Sequence, residues 1–192
     1  MTPLYPVFLK LADLPVVIVG GGPVAASKLD GLLAAGARVT VVAPEVVEAI
    51  RGRVPVIERA FEPSDLDGAR WVVAAAPPDV NRAVTAAATA RGLFVNAVDE
   101  PAAATANRGA GVRRGEVASA ISPGGIAPAL AGLIREGIEA LLPQDLERWV
   151  AQAIEARVAW KRDGVPMAER RPLLLRAIER LYGVDQPARA DS

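Results

Sequence analysis

Gly20, Gly22 and Ala25 are the residues whose types and spacing point most directly to chemistry, because they fit the pattern G-x-G-x-x-A. In such a turn the first glycine permits a tight bend, the second lets the backbone approach a pyrophosphate, and a small third residue lets the helix pack closely on the strand. Pro23 suits the first helical turn, whose free N–H groups and dipole bind phosphate. Any tight strand-to-helix turn can require glycine, so a purely structural turn is the alternative. The predicted cofactor contacts in this segment are Gly20, Gly21, Gly22, Pro23, Val24 and Ala25.

The end of the next strand is where a dinucleotide-binding domain reads the ribose. An Asp or Glu there binds the 2′-hydroxyl of NAD, whereas an Arg accommodates the 2′-phosphate of NADP. This chain has Ala43, Pro44 and Glu45, and we predict that all three contact the cofactor. Glu45 comes slightly late for this role and is equally well explained as a solvated acid at a helix start. No Arg or Lys follows the strand at once, which favours NAD; Arg51 and Arg53 are the residues that would favour NADP instead.

Asp99 is the candidate catalytic residue. It directly follows Phe94–Val98, which is predicted to be a buried strand, and ligands of open α/β sheets bind at the carboxyl ends of the strands. Ala75 and Ala76 end another strand, and we predict that they lie at the same edge and contact the cofactor. The alternative is that Asp99 only caps a helix or a turn.

The elements around these residues alternate between strand and helix over the first half of the chain. β-Branched runs without polar alternation predict strands that are buried on both faces. Glycines close the intervening helices, and Asp79 is expected to cap the second helix. Strands separated by helices imply right-handed crossovers, and therefore a Rossmann-type, doubly wound parallel sheet of the α/β class. The predicted strands are Val16–Val19, Arg38–Val42, Pro55–Phe61, Trp71–Ala76 and Phe94–Val98, and the second helix covers Val80–Arg91.

The second half of the chain predicts one short strand, Val117–Ile121, followed by three helices. An isolated edge strand is unstable, so we expect two copies to pair across a symmetry axis as a homodimer. The chain is therefore divided into an NAD-binding Rossmann domain (1–108), a dimerisation segment of strand plus helix (109–142) and a helical C-terminal domain (143–192). The predicted helices are Ala127–Leu142, Asp145–Lys161 and Met167–Tyr182.

Composition limits the possible chemistry. The 192 residues include 22 basic and 22 acidic side chains, so no net charge attracts nucleic acid, and 52% hydrophobic residues supply a core. Cysteine and histidine are both absent, which excludes disulfides, thiol catalysis and the commonest metal ligand. The sequence predicts no metal site, no membrane span and no signal peptide, and the expected location is the cytoplasm.

Several further motifs recur in order along the chain. They are VVIVGGG, DVNRAV, FVNAVDEP, RRGEVASAISPGGIAPALAGLIREGIEALLP and WKRDGVPMAERR. In these motifs and their spacing, over nearly its whole length, the chain resembles the precorrin-2 dehydrogenases, which are similar to the N-terminal half of siroheme synthase. The resemblance implies NAD-dependent oxidation of precorrin-2 to sirohydrochlorin, and in some members insertion of Fe²⁺ at the same site to make siroheme.

The resemblance also assigns roles to residues. Asp99, in the N-x-V-D motif, is implicated in both activities and is expected to accept the proton that the ring system loses. The S-x-G-G turn corresponds to residues 122–125, with Pro123 where the family often has serine or threonine, and the chain also departs from the family over Ala104–Gly109. A tetrapyrrole rich in carboxylates needs a wide cationic cleft; solvated loop arginines are the alternative for the guanidiniums nearby. The predicted substrate contacts are Asn96, Arg108, Arg113, Arg114, Ser122, Gly124 and Gly125.

Three other functions are weighed against this one. A non-catalytic NAD-binding sensor or regulatory module would share the glycine turn but need neither Asp99 nor the arginine loop. An ordinary small-substrate dehydrogenase is disfavoured by the lack of histidine and of a separate catalytic domain. A nucleic-acid role for the last helix is least favoured, because its arginines alternate with leucine and isoleucine as on the wet side of an amphipathic helix.

Overall fold

The structure, a computed structural model, describes residues 4–98, 104–124 and 127–182. The chain forms two compact units, each with its own secondary structure. The first unit contains residues 1–108 and 122–128, and the second contains residues 109–121 and 129–192.

A five-stranded parallel sheet forms the centre of the first unit. Its strands are β1 (Pro15–Val19), β2 (Arg38–Val42), β3 (Val56–Ile57), β4 (Trp71–Ala74) and β5 (Val95–Ala97). The order across the sheet is β3-β2-β1-β4-β5, so the chain builds one side of β1 first and then crosses to build the other. This order confirms the predicted doubly wound α/β fold, in which the carboxyl ends of the parallel strands share one edge.

Helices cover both faces of this sheet. They are α1 (Pro23–Ala34) and α2 (Pro78–Ala90). Leu29 of α1 belongs to the same buried apolar cluster as Ile18, whereas Val84 of α2 belongs to a second cluster with Val17. Successive strand residues point to opposite faces, so the uninterrupted valine and isoleucine run of β1 supplies both cores. The sequence pattern and the observed burial agree at this point.

Two local expectations for this unit are wrong. The strand predicted over Pro55–Phe61 contains only two ladder residues, because the chain turns at Arg59, whose backbone N–H donates to the Ile57 carbonyl. Asp79 does not cap α2 but lies within its first turn, and Pro77 occupies the capping position. The two prolines that precede Asp79 start the helix earlier than the acidic residue suggests.

Asp65 belongs to a short 3-10 helix, Pro63–Leu66, that leads towards β4. Its carboxylate accepts two hydrogen bonds from the Arg59 guanidinium, at 2.6 and 2.8 Å, and one from the backbone N–H of Glu62 at 2.8 Å. The hydrogen bonds from Arg59 hold the pKa of Asp65 below its usual value, although burial of the carboxyl acts in the opposite direction.

Arg59→Met is therefore expected to lower the free energy of unfolding at about pH 7 and to have little effect in acid. A carboxyl whose pKa is lowered by folding stabilises the protein above the pKa of the unfolded chain, about 4, and this contribution disappears as the pH falls through the folded-state pKa. Urea unfolding at about pH 7 and about pH 2 measures the difference. Arg51→Met, at another surface arginine paired with a carboxylate, is the control. An equal loss at both pH values for Arg59→Met would contradict the role given to Asp65.

The second unit contains an antiparallel hairpin and helices. Its elements are β6 (Ala110–Arg114), β7 (Val117–Ile121), most of α3 (Pro128–Leu141), α4 (Leu146–Arg162) and α5 (Met167–Leu181). The expectation that Val117–Ile121 is a lone strand is wrong, because β7 pairs along its whole length with β6. Gly115, at φ +56°, allows the tight turn between the two strands. The pairing removes the original reason for joining two copies, and the homodimer itself stays a prediction.

An aromatic pair joins α4 to α5. The Trp149 indole N–H donates to the Tyr182 hydroxyl at 2.6 Å, and this hydroxyl donates to Asp145 at 2.8 Å. The hydrogen bond from Tyr182 lowers the pKa of the Asp145 carboxyl. Within the residues that the structure describes, no helix has both the length and the apolar character needed to cross a membrane.

Candidate functional site

Gly20 forms the bend between β1 and α1. Its φ of +123° lies in a region that L side chains rarely adopt, and its N–H donates to the Val42 carbonyl at 2.9 Å. A Cβ at this position would lie 2.1 Å from the carbonyl oxygen of Ala75. Both the backbone conformation and the neighbour therefore require glycine, which agrees with the tight-turn role predicted for it.

Gly21 is packed just as closely, on the other side of the turn. A Cβ there would lie 1.9 Å from the carbonyl oxygen of Glu45, and the Gly21 carbonyl accepts a hydrogen bond from the Val47 N–H at 2.8 Å. The turn after β1 is thus fitted between the backbone that follows β2 and the backbone that follows β4. Sequence reasoning placed Gly21 among the cofactor contacts but missed this packing, because the G-x-G-x-x-A pattern leaves its second position open.

Gly22 differs from its two neighbours because its Cβ position faces open space, with no atom of the described residues within 4 Å. Its backbone, at φ −83°, is one that any residue adopts. Pro23 occupies the first turn of α1, and no side chain from the described part of the chain caps this helix end. The N–H groups of Val24 and Ala25 belong to a first turn that has no intrahelical acceptors. This cradle fits a pyrophosphate, which would approach where a side chain at Gly22 would stand.

The residues after β2 form the edge where the ribose would lie. Ala43 is buried, and the side chain of Glu45 is exposed to solvent. The two arginines that would favour NADP are both occupied by carboxylates. Arg51 donates to Glu58 at 3.1 Å, and Arg53 donates to Asp30 at 2.7 Å. Both guanidiniums are thus paired with acidic side chains. Glu45 is the first charged residue after the end of β2 along the chain.

Asn81 is a site residue that sequence reasoning missed. It lies in the first part of α2, is only 3% exposed, and accepts a hydrogen bond from the Ala76 N–H at 3.0 Å. Its amide also donates to the Val98 carbonyl at 3.4 Å. The side chain thus connects the backbone after β4 with the backbone at the end of β5. A polar residue on an otherwise apolar helical stripe that faces a sheet was the available signal.

Asn96 and Thr105 fix the segment that returns past β5. The Asn96 side chain, predicted to contact substrate, is 9% exposed and donates to the Ala106 carbonyl at 3.1 Å. The Thr105 hydroxyl accepts the Val95 N–H at 2.8 Å, and the N–H groups of Thr105 and Ala106 both donate to the Val95 carbonyl. Residues 104–106 therefore lie along β5, and the amide of Asn96 is used to hold them there.

Asp99 and Gly125 lie outside the described residues. The other members of the predicted S-x-G-G turn are present: Gly124 has a φ of +70°, and its N–H donates to the Ser122 hydroxyl at 3.3 Å. Arg108 extends over α1, where its guanidinium lies 3.2 Å from the position of a Cβ on Gly31. By helical rise Gly31 is about 12 Å from Pro23, so this contact does not bring Arg108 to the glycine turn.

Arg113 and Arg114 are neighbours in β6 but have different surroundings. Arg113 is exposed, whereas the guanidinium of Arg114 donates to the carbonyls of Leu142, Pro143 (2.9 Å) and Glu139 (3.4 Å). These are carbonyls at the end of α3, which have no acceptor role within the helix and are commonly bound by a cation. The structure therefore gives Arg114 a helix-capping role that its sequence context did not indicate.

Arg114→Met is expected to destabilise the protein by about 2 kcal/mol and to leave NAD binding unchanged, since charge-assisted hydrogen bonds to the partly buried carbonyls of Leu142 and Pro143 are lost. Arg113→Met is the matched control: it removes the adjacent charge from the same strand and should leave stability within about 0.5 kcal/mol. Chemical denaturation and NAD titration measure both quantities. Equal stabilities of the two variants would show that the capping contacts of Arg114 contribute nothing.

Comparisons with known proteins agree with this geometry. A family model described as "Putative NAD(P)-binding" matches residues 7–110. Siroheme synthase of Methylobacillus flagellatus is 43% identical over 162 residues, covering 81% of this chain and 35% of that protein. Siroheme synthase 1 of Aeromonas salmonicida is 40% identical over 192 residues, covering 96% of this chain and 40% of that protein. The chain thus spans well under half the length of these curated relatives.

A solved structure is similar to the chain over nearly all of both molecules. It is that of SirC, precorrin-2 dehydrogenase, which superposes with a TM-score of 0.72 at 28% sequence identity. The match covers 91% of this chain and 89% of the other. The likeness therefore extends beyond the sheet of the first unit to residues of the second.

Proposed function

The chain belongs to the NAD(P)-binding family, and we propose that it catalyses the NAD-dependent oxidation of precorrin-2 to sirohydrochlorin. The observation that carries the proposal is the likeness to a solved precorrin-2 dehydrogenase over nearly the full length of both chains. The similarity to siroheme synthases supports the same substrate class.

The glycine turn would hold the pyrophosphate of NAD. The open face of Gly22 admits it, and the N–H groups of Val24 and Ala25 would donate to its oxygens. Glu45 would bind the ribose hydroxyls, while Ala75 and Ala76 would line the edge of the sheet beyond it. When bound, NAD supplies the hydride acceptor.

Asp99 would accept the proton. Oxidation of the ring system removes one hydride and one proton, so a base must stand close to the carbon that loses them. Asp99 follows Val98, whose N–H donates to the Ala74 carbonyl at 2.9 Å, at the carboxyl end of β5. This is the edge at which the cofactor would bind, so a carboxylate here would stand beside the hydride acceptor.

The substrate would be recognised through its carboxylates. Arg113, which is exposed, and Arg108 would bind them as guanidinium–carboxylate pairs, and the turn of Ser122 and Gly124 would add hydrogen bonds. Gly125 is assigned to the substrate site from the resemblance alone. Insertion of Fe²⁺ into the product is an additional activity that the same site would have to support with oxygen ligands, since the chain has no histidine or cysteine.

A homodimer in the cytoplasm is part of the proposal. Helix α3 leaves Leu130, Leu133 and Ile134 between 41% and 66% exposed, although they recur at helical spacing. A second copy of α3 would cover them, because an isologous interface places the same apolar face on both protomers. Sedimentation analysis of the wild-type protein and of Leu133→Glu would test the interface, and cell fractionation would test the location.

The decisive experiment is anaerobic incubation of the protein with enzymatically generated precorrin-2 and either NAD or NADP, followed by the sirohydrochlorin spectrum. Turnover with NAD is expected. Asp99→Ala should lower kcat by about a hundredfold or more, as for loss of a general base, while the NAD dissociation constant stays within about threefold. Asp79→Ala is the matched control, because Asp79 is an exposed carboxylate at the start of α2 that caps nothing.

Two outcomes would contradict the proposal. Unchanged turnover in Asp99→Ala would remove Asp99 from the mechanism. Binding of NAD without any turnover by the wild-type protein would favour a non-catalytic NAD-binding module instead. Addition of Fe²⁺ or Co²⁺ to the product mixture then tests chelation separately.

A further inference from the structure

Two buried polar side chains stand out in the described part of the first unit, and one of them, Asn81, touches the edge at which the cofactor would bind. Asn81 is 3% exposed and Asn96 is 9% exposed. A buried amide is costly unless its hydrogen bonds are made, so its partners reveal what the position needs. Asn96 holds the Ala106 carbonyl beside β5, whereas Asn81 connects two different strands.

The two hydrogen bonds of Asn81 need opposite chemistry. Its oxygen accepts from the Ala76 N–H at 3.0 Å, and its nitrogen donates to the Val98 carbonyl at 3.4 Å. The asparagine amide has an acceptor oxygen and a donor nitrogen on separate atoms, whereas an ionised carboxylate only accepts and an aliphatic group does neither. Asparagine is therefore matched to this pair of backbone groups.

Each of the two backbone groups that Asn81 contacts is next in the chain to a residue of the candidate site. The Ala75 N–H still pairs with the Val19 carbonyl of β1, so the Ala76 N–H is the first one beyond the sheet ladder, and Asn81 satisfies it. The neighbouring carbonyl of Ala75 occupies the space that a Cβ on Gly20 would fill. At the other end, Val98 immediately precedes Asp99 in the chain.

We propose that Asn81 is a positioning residue that ties the backbone supporting the glycine turn to the backbone that leads into Asp99. Through it, occupancy of the dinucleotide cradle and the placement of Val98 depend on each other. This inference rests on the proposed function only for its effect on turnover; its effect on NAD binding and on backbone protection does not require precorrin-2 to be the substrate.

The variants Asn81→Asp and Asn81→Leu separate the two hydrogen bonds. Asn81→Asp keeps an acceptor for the Ala76 N–H, so its NAD dissociation constant should stay within about threefold of wild type. It loses the donor to the Val98 carbonyl, and kcat should therefore fall at least about tenfold, which corresponds to the loss of one hydrogen bond. As the pH falls, a protonated carboxyl can donate to the Val98 carbonyl, so kcat relative to wild type should recover. Asn81→Leu loses both bonds and should weaken NAD binding about tenfold as well, with no recovery in acid.

Thr85→Val is the matched control. Thr85 lies one turn further along α2, and its hydroxyl is buried without a hydrogen-bond partner among the described residues. This variant disturbs the packing of the same helix but should leave the NAD dissociation constant and kcat within about twofold. If Asn81→Asp and Asn81→Leu resemble Thr85→Val in both quantities, or if Asn81→Asp shows no recovery at low pH, the positioning role is wrong.

Amide hydrogen exchange of the wild-type protein covers the case in which a variant does not fold. Addition of NAD should slow exchange at Val98 as well as in the glycine turn and at its predicted contact Ala76, because Asn81 links Val98 to the cofactor edge. Protection confined to residues 20–26 would overturn the proposal. The exchange experiment requires only NAD and no precorrin-2. An absence of precorrin-2 turnover would therefore count against the proposed function, whereas the exchange pattern would still test the role of Asn81.

Discussion

Gly22→Ala is expected to weaken NAD binding by about tenfold to a hundredfold while the fold stays intact. The added methyl group meets no protein atom within 4 Å among the described residues, and the φ of −83° suits alanine. It would instead stand where the pyrophosphate approaches the backbone, which costs one or two charge-assisted hydrogen bonds. The free energy of unfolding should fall by only about 1 kcal/mol, the amount by which alanine is a poorer N-cap than glycine.

NAD titration by calorimetry, together with urea unfolding, measures both effects. Val24→Ala is the control, because it shortens an exposed side chain two positions further along the chain and keeps the backbone N–H that is assigned to the pyrophosphate. Normal NAD affinity in Gly22→Ala would show that the pyrophosphate lies elsewhere. A large loss of stability would show that Gly22 serves the fold, as the alternative interpretation of the sequence holds.

Gly20→Ala is expected to have the opposite outcome, a loss of about 4 kcal/mol of stability that prevents the first unit from folding normally. The φ of +123° opposes any L side chain, and the new Cβ would lie 2.1 Å from the Ala75 carbonyl oxygen, which belongs to the backbone and cannot rotate away. Left-handed backbone costs about 1–2 kcal/mol, and overpacking against rigid structure adds about 1–3 kcal/mol.

Gly52→Ala separates these two causes. Gly52 also has a positive φ, +69°, but no described atom lies within 4 Å of its Cβ position, so its replacement should cost only about 1 kcal/mol. Chemical denaturation of both variants gives the comparison. Similar losses for Gly20→Ala and Gly52→Ala would mean that the contact with Ala75 relaxes easily, and that the glycine turn is less tightly fitted than its geometry indicates.

The residues of the glycine turn show how far local sequence information reaches. Gly20, Gly22 and Ala25 are recognisable because a strand, a bend and a helix follow one another within a short stretch, and the steric needs of each part are local. The same holds for β2, which begins and ends at the residues predicted, Arg38 and Val42. In contrast, the close contact of Gly21 with the Glu45 carbonyl joins two separate turns, and no local pattern contains it.

Side chains with partners far along the chain have contacts that the sequence does not indicate. Arg114 is a predicted substrate contact, and its capping acceptors lie about 28 residues further along the chain, at the end of α3, where no local pattern points to them. Asn81 is not among the predicted site residues, because its partner Val98 follows β5 and lies 17 residues away along the chain. Residues 110–114 are rich in glycine and arginine and carry little strand propensity, yet they form β6 because β7 pairs with them.

The sequence by itself determined the class of fold, the order of its first elements and the place of the dinucleotide turn, because hydrophobic periodicity and glycine spacing are properties of consecutive residues. Only the tertiary structure decided which glycine faces open space, which arginines are already paired, and which buried amide joins β4 to β5. Such contacts join groups from distant parts of the chain. The contacts, and the free energy that they contribute, therefore form only when the sheet has brought those parts together.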